Sequence, residues 1–343
     1  MARRTTDKQA GTWSSGPVTL ADVAKLSGVS PVTVSRVINT PDLVKPKTLE
    51  AVRQVIERTG YVPNLLAGGL ASKKTKLVAA IVPSVASTMF AETIEGLNAE
   101  LVASDYQLLL GLSGYEPGRE LELIRTILAR RPDGIILTGI SHLKQSRAML
   151  MGAGMPIVEI WDSTPSPLDT AVGFSHAAVG RLVAAHLLQK GYDRYAQIGA
   201  NDPRATDRRS GFAEGLHGVA EVELPATPTN TPASFSDGRR AMAELLDKGS
   251  GRIAVFCSSD VVAHGALAEA HSRGCRIPED VAVVGFGDFE FAASTFPPLT
   301  TVRVDRRAIG TIAAQAMLAR LAGDHSQNGM IEVGFEIMRR STT

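Results

Sequence analysis

Residues 19–39 read TLADVAKLSGVSPVTVSRVIN, and the spacing within them defines the front of the chain. Thr19 is suited to cap a helix in which Leu20, Val23 and Ala24 share one face. Gly28 falls where a tight turn needs a positive φ, and Val29 follows as an inward turn residue. Ser30 can cap a second helix, with Pro31 in its favoured first position. Val34, Val37 and Ile38 then face inward, while Pro31, Val32, Ser35, Arg36 and Asn39 are left outside. This pattern predicts an all-α helix-turn-helix whose second helix can enter the major groove of double-stranded DNA. Spacing alone leaves one other reading open, a plain pair of packed helices.

Charge around this stretch bears on the choice. Residues 1–76 hold 12 Lys/Arg against 5 Asp/Glu, a net of +7, and residues 77–343 hold 24 against 30, a net of −6. The overall charge of +1 therefore hides a basic head on an acidic body. Such a head suits a polyanion, although a solvated basic face has the same composition. Residues 1–17 read as a disordered tail, 18–62 as the helix-turn-helix domain with a third helix, and 63–76, PNLLAGGLASKKTK, as a linker. No apolar stretch follows Arg3-Arg4, so no export signal is expected, and no apolar run reaches the ~18 residues of a membrane helix. Cys257 and Cys275 are too few for a disulfide framework and are expected as reduced thiols of a cytoplasmic protein.

From residue 77 onward, short apolar runs alternate with amphipathic stretches. The runs VAAIVP (78–83), YQLLLG (106–111), GIILTG (134–139), PIVEIW (156–161), YAQIGA (195–200), IAVFCSS (253–259) and VAVVGFG (281–287) have the character of parallel strands buried on both faces. Helical patterns occupy 90–103, 118–130, 177–190, 205–216, 236–247, 260–273 and 306–322. These cycles predict a doubly wound α/β body with parallel sheets, too long for one small sheet. Two lobes are expected over 77–343: about 77–173 with 302–331, and about 174–301 with 332–340. No internal repeat stands out.

From Val18 to about Arg340 the chain resembles the lac repressor family. The head matches that family's signature nearly throughout. The body carries RPDGIILTG (131–139), FSHAAVGRLVAAHLLQKGY (174–192), DRRSGF (207–212), CSSDVVAHGAL (257–267), RIPEDVAVVGFGD (276–288) and PPLTTVRVD (297–305). The resemblance implies a body like periplasmic sugar-binding proteins, with an effector between the lobes. It places Arg36 on the base-reading arginine, whose fork suits the two acceptors of guanine. Pro31 and Val32 fall on positions that set operator preference, and Thr19, Ser30, Thr33, Ser35 and Asn39 on phosphate contacts. Lys45, Lys47 and Thr48 could add backbone contacts. YVPNLLAGGLAS (61–72) resembles the family's hinge helix, opened by Pro63 and Asn64, with Asn64, Ala67 and Leu70 as DNA-contacting positions. Leu70 either wedges between minor-groove bases or packs between domains. Gly68 and Gly69 weaken a helix by about 1 kcal/mol each, so either the hinge folds only on DNA or two hinges pack closely.

In the body, Arg208 falls on the effector-binding arginine, for paired hydroxyls or a carboxylate, or else salt-bridged to an acidic neighbour. Arg204 offers a second cation. Ser259 and Asp260 replace a frequent Asn-Asp pair; Asp260 either accepts sugar hydroxyls or caps the next helix. Gly287 stands where many members carry an effector-binding aspartate, a departure from a neutral-sugar site, and Asp288 is expected to be structural. Glu159, Trp161 and Asp162 end a strand and are expected to point into the cleft, Trp161 against a sugar face or as lobe packing. Met89 and Phe90 are expected to close the site from the other lobe. His176 reads as a cap or lobe contact and not as a ligand. With Arg208, VPSVASTMFAE, EIWD and GFGD, the body looks most like gluconate-type members. The expected effector is gluconate or a related sugar acid, with a neutral sugar, sugar phosphate or other metabolite as alternatives.

Enzyme chemistry finds no motif. The first strand ends in VPSVAST without G-x-G-x-x-G, and Walker A, G-x-S-x-G and zinc patterns are absent, so no cofactor or metal is expected. A periplasmic binding protein would share the body but need an export signal and lack residues 18–76, and a nucleoid-type DNA binder would not need the body. The resemblance implies a repressor, or alternatively an activator, acting as a homodimer on a palindromic operator. The end RRSTT carries no heptad repeat, so no coiled-coil tetramer is expected.

Overall fold

The computed structural model describes residues 17–62, 74–85, 88–326 and 329–343, and the chain divides into two compact units between Thr75 and Lys76. In the first unit α1 (Leu20–Ser27), α2 (Pro31–Asn39) and α3 (Pro46–Thr59) follow from local chemistry. Thr19 and Asp22 form a reciprocal capping box at the start of α1, and Gly28 ends it at φ 67, in the left-handed region where glycine is unstrained. Ser30 caps α2 with Pro31 at the first turn. Val23, Val34 and Val52, one from each helix, are fully buried together with Val37, Val55 and Tyr61.

The second unit holds strands β1 (Leu77–Val82), β2 (Gln107–Leu112), β3 (Gly134–Thr138), β4 (Ile157–Ile160), β5 (Thr170–Gly173), β6 (Arg194–Ile198), β7 (Val222–Glu223), β8 (Ile253–Cys257), β9 (Val281–Gly287), β10 (Thr300–Val304), β11 (Gly329–Glu332) and β12 (Phe335–Met338). Between them lie α4 (Thr88–Ala103), α5 (Pro117–Leu128), α6 (Lys144–Ala153), α7 (His176–Leu188), α8 (Pro203–Leu216), α9 (Phe235–Asp247), α10 (Asp260–Ser272) and α11 (Arg306–Leu321). They build two six-stranded sheets, in the orders β11-β5-β4-β3-β1-β2 and β12-β10-β9-β8-β6-β7. Every ladder is parallel except β10 with β12.

The period of two along each strand sorts its side chains into two cores. In the first sheet Val78, Ala80, Ile136, Val158 and Ile160 face Leu97 and Leu101 of α4 and Ile309 and Met317 of α11. Their neighbours Ala79, Ile81, Ile135, Leu137 and Ile157 face Ile124 and Ile127 of α5 and Leu150 of α6. In the second sheet Ala254, Phe256, Ala282 and Val284 meet α7 and α8, and Ile253, Val255, Val281 and Val283 meet α9 and α10. Burying a large apolar side chain contributes about 1.5–3 kcal/mol, so both faces of both sheets are needed to hold the lobes together.

Each sheet winds outward in two directions, from between β1 and β3 and from between β6 and β8. Such reversal points open a crevice beyond the carboxyl ends of the strands, where ligands bind. The chain passes between the lobes after β5, after β10 and after β11. Residues 302–304, expected in the first lobe, belong instead to β10, which pairs with β9 and puts the crossing at Asp305. The sequence reading also left out β5, β7, β10, β11, β12 and α6. Most are short strands, several of them at sheet edges, without a long apolar run, and α6 (KQSRAMLMGA) mixes polar and apolar residues. Among the described residues no helix is long and apolar enough to cross a membrane.

Candidate DNA interface and ligand cleft

The inward valines of α2 fix which of its side chains remain outside. Pro31, Val32, Arg36 and Asn39 are exposed, Val32 at 61%, while Thr33 and Ser35 are half-buried. Ser30 and Thr33 share a 2.9 Å hydroxyl hydrogen bond, and Asn39 donates to the Ser35 carbonyl at 3.0 Å. Thr19 donates to the Asp22 carboxylate. Arg36 therefore stands on an exposed surface framed by short polar side chains, a geometry suited to a base edge flanked by phosphates. Lys45 and Lys47 are exposed at the start of α3. The hinge candidates Pro63, Asn64, Ala67, Gly68, Gly69 and Leu70 lie outside the described residues.

In the second unit a cleft of about 360 Å³ opens where the carboxyl ends of the two sheets face each other. The first lobe contributes Ser84, Met89 and Phe90 after β1, Tyr115 after β2 and Trp161 after β4. From the second come Asp202, Arg204 and Arg208 around α8, Ser258 and Ser259 after β8, and Phe286, Phe289 and Phe291 at the end of β9. Trp161 adopts φ 70, an unfavourable backbone for a non-glycine residue that costs of order 1–3 kcal/mol. Its indole N–H donates to Thr93 at 3.1 Å, and its ring meets Phe90 edge-on at 5.4 Å. These contacts hold one aromatic wall.

Arg208 forms the charged floor. Its guanidinium lies 4.2 Å from the centre of the Phe286 ring and donates to His176 Nδ1 at 2.8 Å. Burial pulls its pKa down to about 10, so it stays charged at neutral pH. Among the described residues its buried Nε has no hydrogen-bond acceptor. Arg204 sits 3.9 Å from the Asp202 carboxylate and 5.7 Å from the Phe90 ring centre in the opposite lobe.

Met89, Phe90, Trp161, Arg204, Arg208 and Ser259 are thus brought together; Ser259 also caps α10. Four expected residues lie elsewhere. Glu159 shares the face of Ile157 rather than that of Ile160, so it turns away from the cleft, accepts from the Leu168 amide and approaches His142. Asp162 lines a smaller adjoining cavity of about 90 Å³, where burial raises its pKa to about 6. Asp260 is fully buried below the cleft and accepts from Thr301 and from the Phe289 amide, so neither the sugar role nor the simple cap holds. Gly287 has φ 124, its carbonyl accepts from Arg306, and a Cβ there would come within 2.8 Å of the Phe289 ring. The ring fills the space of a carboxylate. Asp288 binds Arg303 and Arg340.

Sequence reasoning missed Ser84, Tyr115, Asp202, Ser258, Phe286, Phe289 and Phe291, all at or just beyond strand ends; applying the strand-end rule to every run would have found them. Of the two readings of His176, the cap is Ser175 instead, while the lobe contact agrees with its hydrogen bonds to the Trp161 carbonyl and to Arg208; His176 also lines the cleft. Among the described residues no group of three or more His, Cys, Asp or Glu is arranged to hold a metal.

A helix-turn-helix unit joined to a two-lobed α/β unit with a charged cleft defines a DNA-binding transcription regulator. Residues 19–64 match the bacterial regulatory proteins of the lacI family, and residues 184–343 match the periplasmic binding protein-like domain. The chain is 36% identical to the HTH-type transcriptional regulator GntR of Pseudomonas aeruginosa, over 98% of this chain and 99% of that protein. It is 29% identical to GntR of Escherichia coli K12, over 93% and 96%. A LacI-family regulator from Silicibacter pomeroyi superposes with a TM-score of 0.87 at 34% identity, over 95% and 99% of the two chains. The lac repressor dimer bound to operator and the anti-inducer ONPF superposes at 0.80 with 26% identity, over 96% and 99%. The chain belongs to the lacI family of bacterial regulatory proteins, and these curated relatives are transcriptional regulators rather than enzymes.

Proposed function

We propose that the chain is a cytoplasmic repressor that binds an inverted-repeat operator as a homodimer and releases it when an open-chain sugar acid, gluconate or a close relative, enters the cleft. Arg208 carries this reading: a buried, charged guanidinium whose Nε lacks an acceptor among the described residues. A carboxylate supplies that acceptor and the opposite charge. The serines, Asp202 and Tyr115 offer hydroxyl partners. Glycine at 287, with the Phe289 ring beside it, leaves no carboxylate at that position to repel an anion. Pairing is supported by the lac repressor dimer among the structural relatives and by the edge strand β2, where Leu110 and Leu112 are exposed. Native proteins cover apolar edges of this kind.

The test joins a thermal-shift screen to DNA binding. Gluconate is expected to raise the melting temperature of the purified chain and to weaken its grip on an inverted-repeat duplex by roughly 5–150-fold. Sedimentation is expected to give a dimer. Stabilisation by neutral hexoses alone would overturn the effector, and equal affinity for every duplex would overturn the operator.

A further inference from the structure

The ring of His176 lies between a backbone carbonyl of the first lobe and a guanidinium of the second. Nε2 is 2.8 Å from the Trp161 carbonyl oxygen, and Nδ1 is 2.8 Å from Arg208 Nη1. A carbonyl only accepts and a guanidinium only donates. One species satisfies both contacts, the neutral imidazole with its proton on Nε2. Protonation would set Nδ1–H against an Arg208 N–H with both residues buried, His176 at 2% exposure and Arg208 at 6%. Burial first, and then the charges of Arg208 and Arg204 on α8, hold the imidazole well below its usual range against the opposing Trp161 hydrogen bond. The rings of Phe174 and Phe286 pack around it, at 4.7 Å and 6.3 Å between centres.

The surroundings of Arg208 give this neutrality a purpose. Asp202, Asp162 and Asp207 act on its charge from a distance, and among the described residues no carboxylate forms an ion pair with it. A carboxylate at position 176 would pair with the guanidinium and cancel the charge that faces the cleft. An apolar residue there would leave a buried donor unsatisfied, with only the longer 3.4 Å hydrogen bond to the Ser258 carbonyl to keep the guanidinium from Asp202 and Asp207. A neutral acceptor holds the donor and leaves the charge.

We propose that His176 is a specificity-determining positioning residue, a neutral acceptor that fixes Arg208 while reserving its full positive charge for an anionic effector. The proposal rests on the reading of Arg208 as the carboxylate receptor. Asn and Asp have the same shape and both place an oxygen near the position of Nδ1, but differ in charge. Calorimetric titration of the full chain with gluconate and with the uncharged polyol sorbitol is expected to show His176→Asn binding gluconate at least tenfold more tightly than His176→Asp. The two are expected to bind sorbitol alike. Equal gluconate affinity in the two variants would overturn the proposal. Nitrogen NMR of histidine-labelled protein supplies a reading that needs no ligand. His176 is expected as the neutral Nε2–H tautomer from about pH 5 to about pH 8, with its titration moved upward in Arg208→Leu. An imidazolium at neutral pH, or the Nδ1–H tautomer, would also overturn it. Failure of the parent chain to bind any sugar acid sinks the effector reading instead, and the tautomer still decides the role of His176.

Discussion

The head and the cleft each present an arginine, exposed among short polar side chains in the first and buried against aromatic rings in the second, but draw its surroundings from very different lengths of chain. Around Arg36 the caps, the turn and the outer face all come from residues 19–39. Around Arg208 the lining runs from Ser84 to Phe291, through eight loops or helix starts in two lobes. The head is a local device whose outer face is fixed by a helical period. The cleft is a convergence, and each of its side chains depends on a packing decision made elsewhere.

If that contrast is correct, damage to the head stays in the head. Arg36→Ala is expected to remove about 1–3 kcal/mol of base discrimination at each half-site of a dimer, measured as the affinity ratio between operator and random duplex at fixed salt. Its ligand response should persist. Damage to the body core should spread to the cleft. Phe256, fully buried in β8 with its ring 5.5 Å from that of Phe212 on α8, is the clearest case. Phe256→Ala is expected to cost about 3–5 kcal/mol in denaturant unfolding and to weaken ligand binding from beneath α8. Unchanged ligand affinity would show that the cleft does not depend on the core beneath α8.

Arg208→Ala is expected to weaken gluconate binding by at least about tenfold, since hydrogen bonds to charged groups contribute about 1.5–3 kcal/mol each. Affinity for the operator without ligand should be retained. The smallest expected effect is on pH. Burial raises Asp162 to about 6, above the ~3.9 of an unfolded aspartate, so the folded chain binds the extra proton between those values. Its contribution to stability is present below about pH 4 and is lost as pH rises through about 6. Asp162→Asn is expected to flatten that part of the melting-temperature profile; an unaltered profile would place the titration in another group.

The same contrast explains what could be read beforehand. Strand cores and most helices were visible because burial on two faces leaves long apolar runs. The two lobes repeat one winding order, yet no sequence repeat signals it, because a parallel strand requires only apolar character and not particular residues. Arg208, Trp161 and Phe90 were found at strand ends and in motifs. Expecting Glu159, Trp161 and Asp162 all to point into the cleft overlooks alternation, which sends Glu159 to the α5 and α6 face, whereas Trp161 lies beyond the end of β4 and turns into the cleft at φ 70. Gly287 was assigned by position, and only the packed structure shows Phe289 in its place.

By itself, the sequence determined the helix-turn-helix and the alternation of buried strands with helices, because both are set by periodicities a few residues long. Tertiary structure alone decided which groups meet the two ring nitrogens of His176. Its partners are 15 and 32 residues away, and a histidine's tautomer is fixed by whichever groups the fold brings to its two nitrogens.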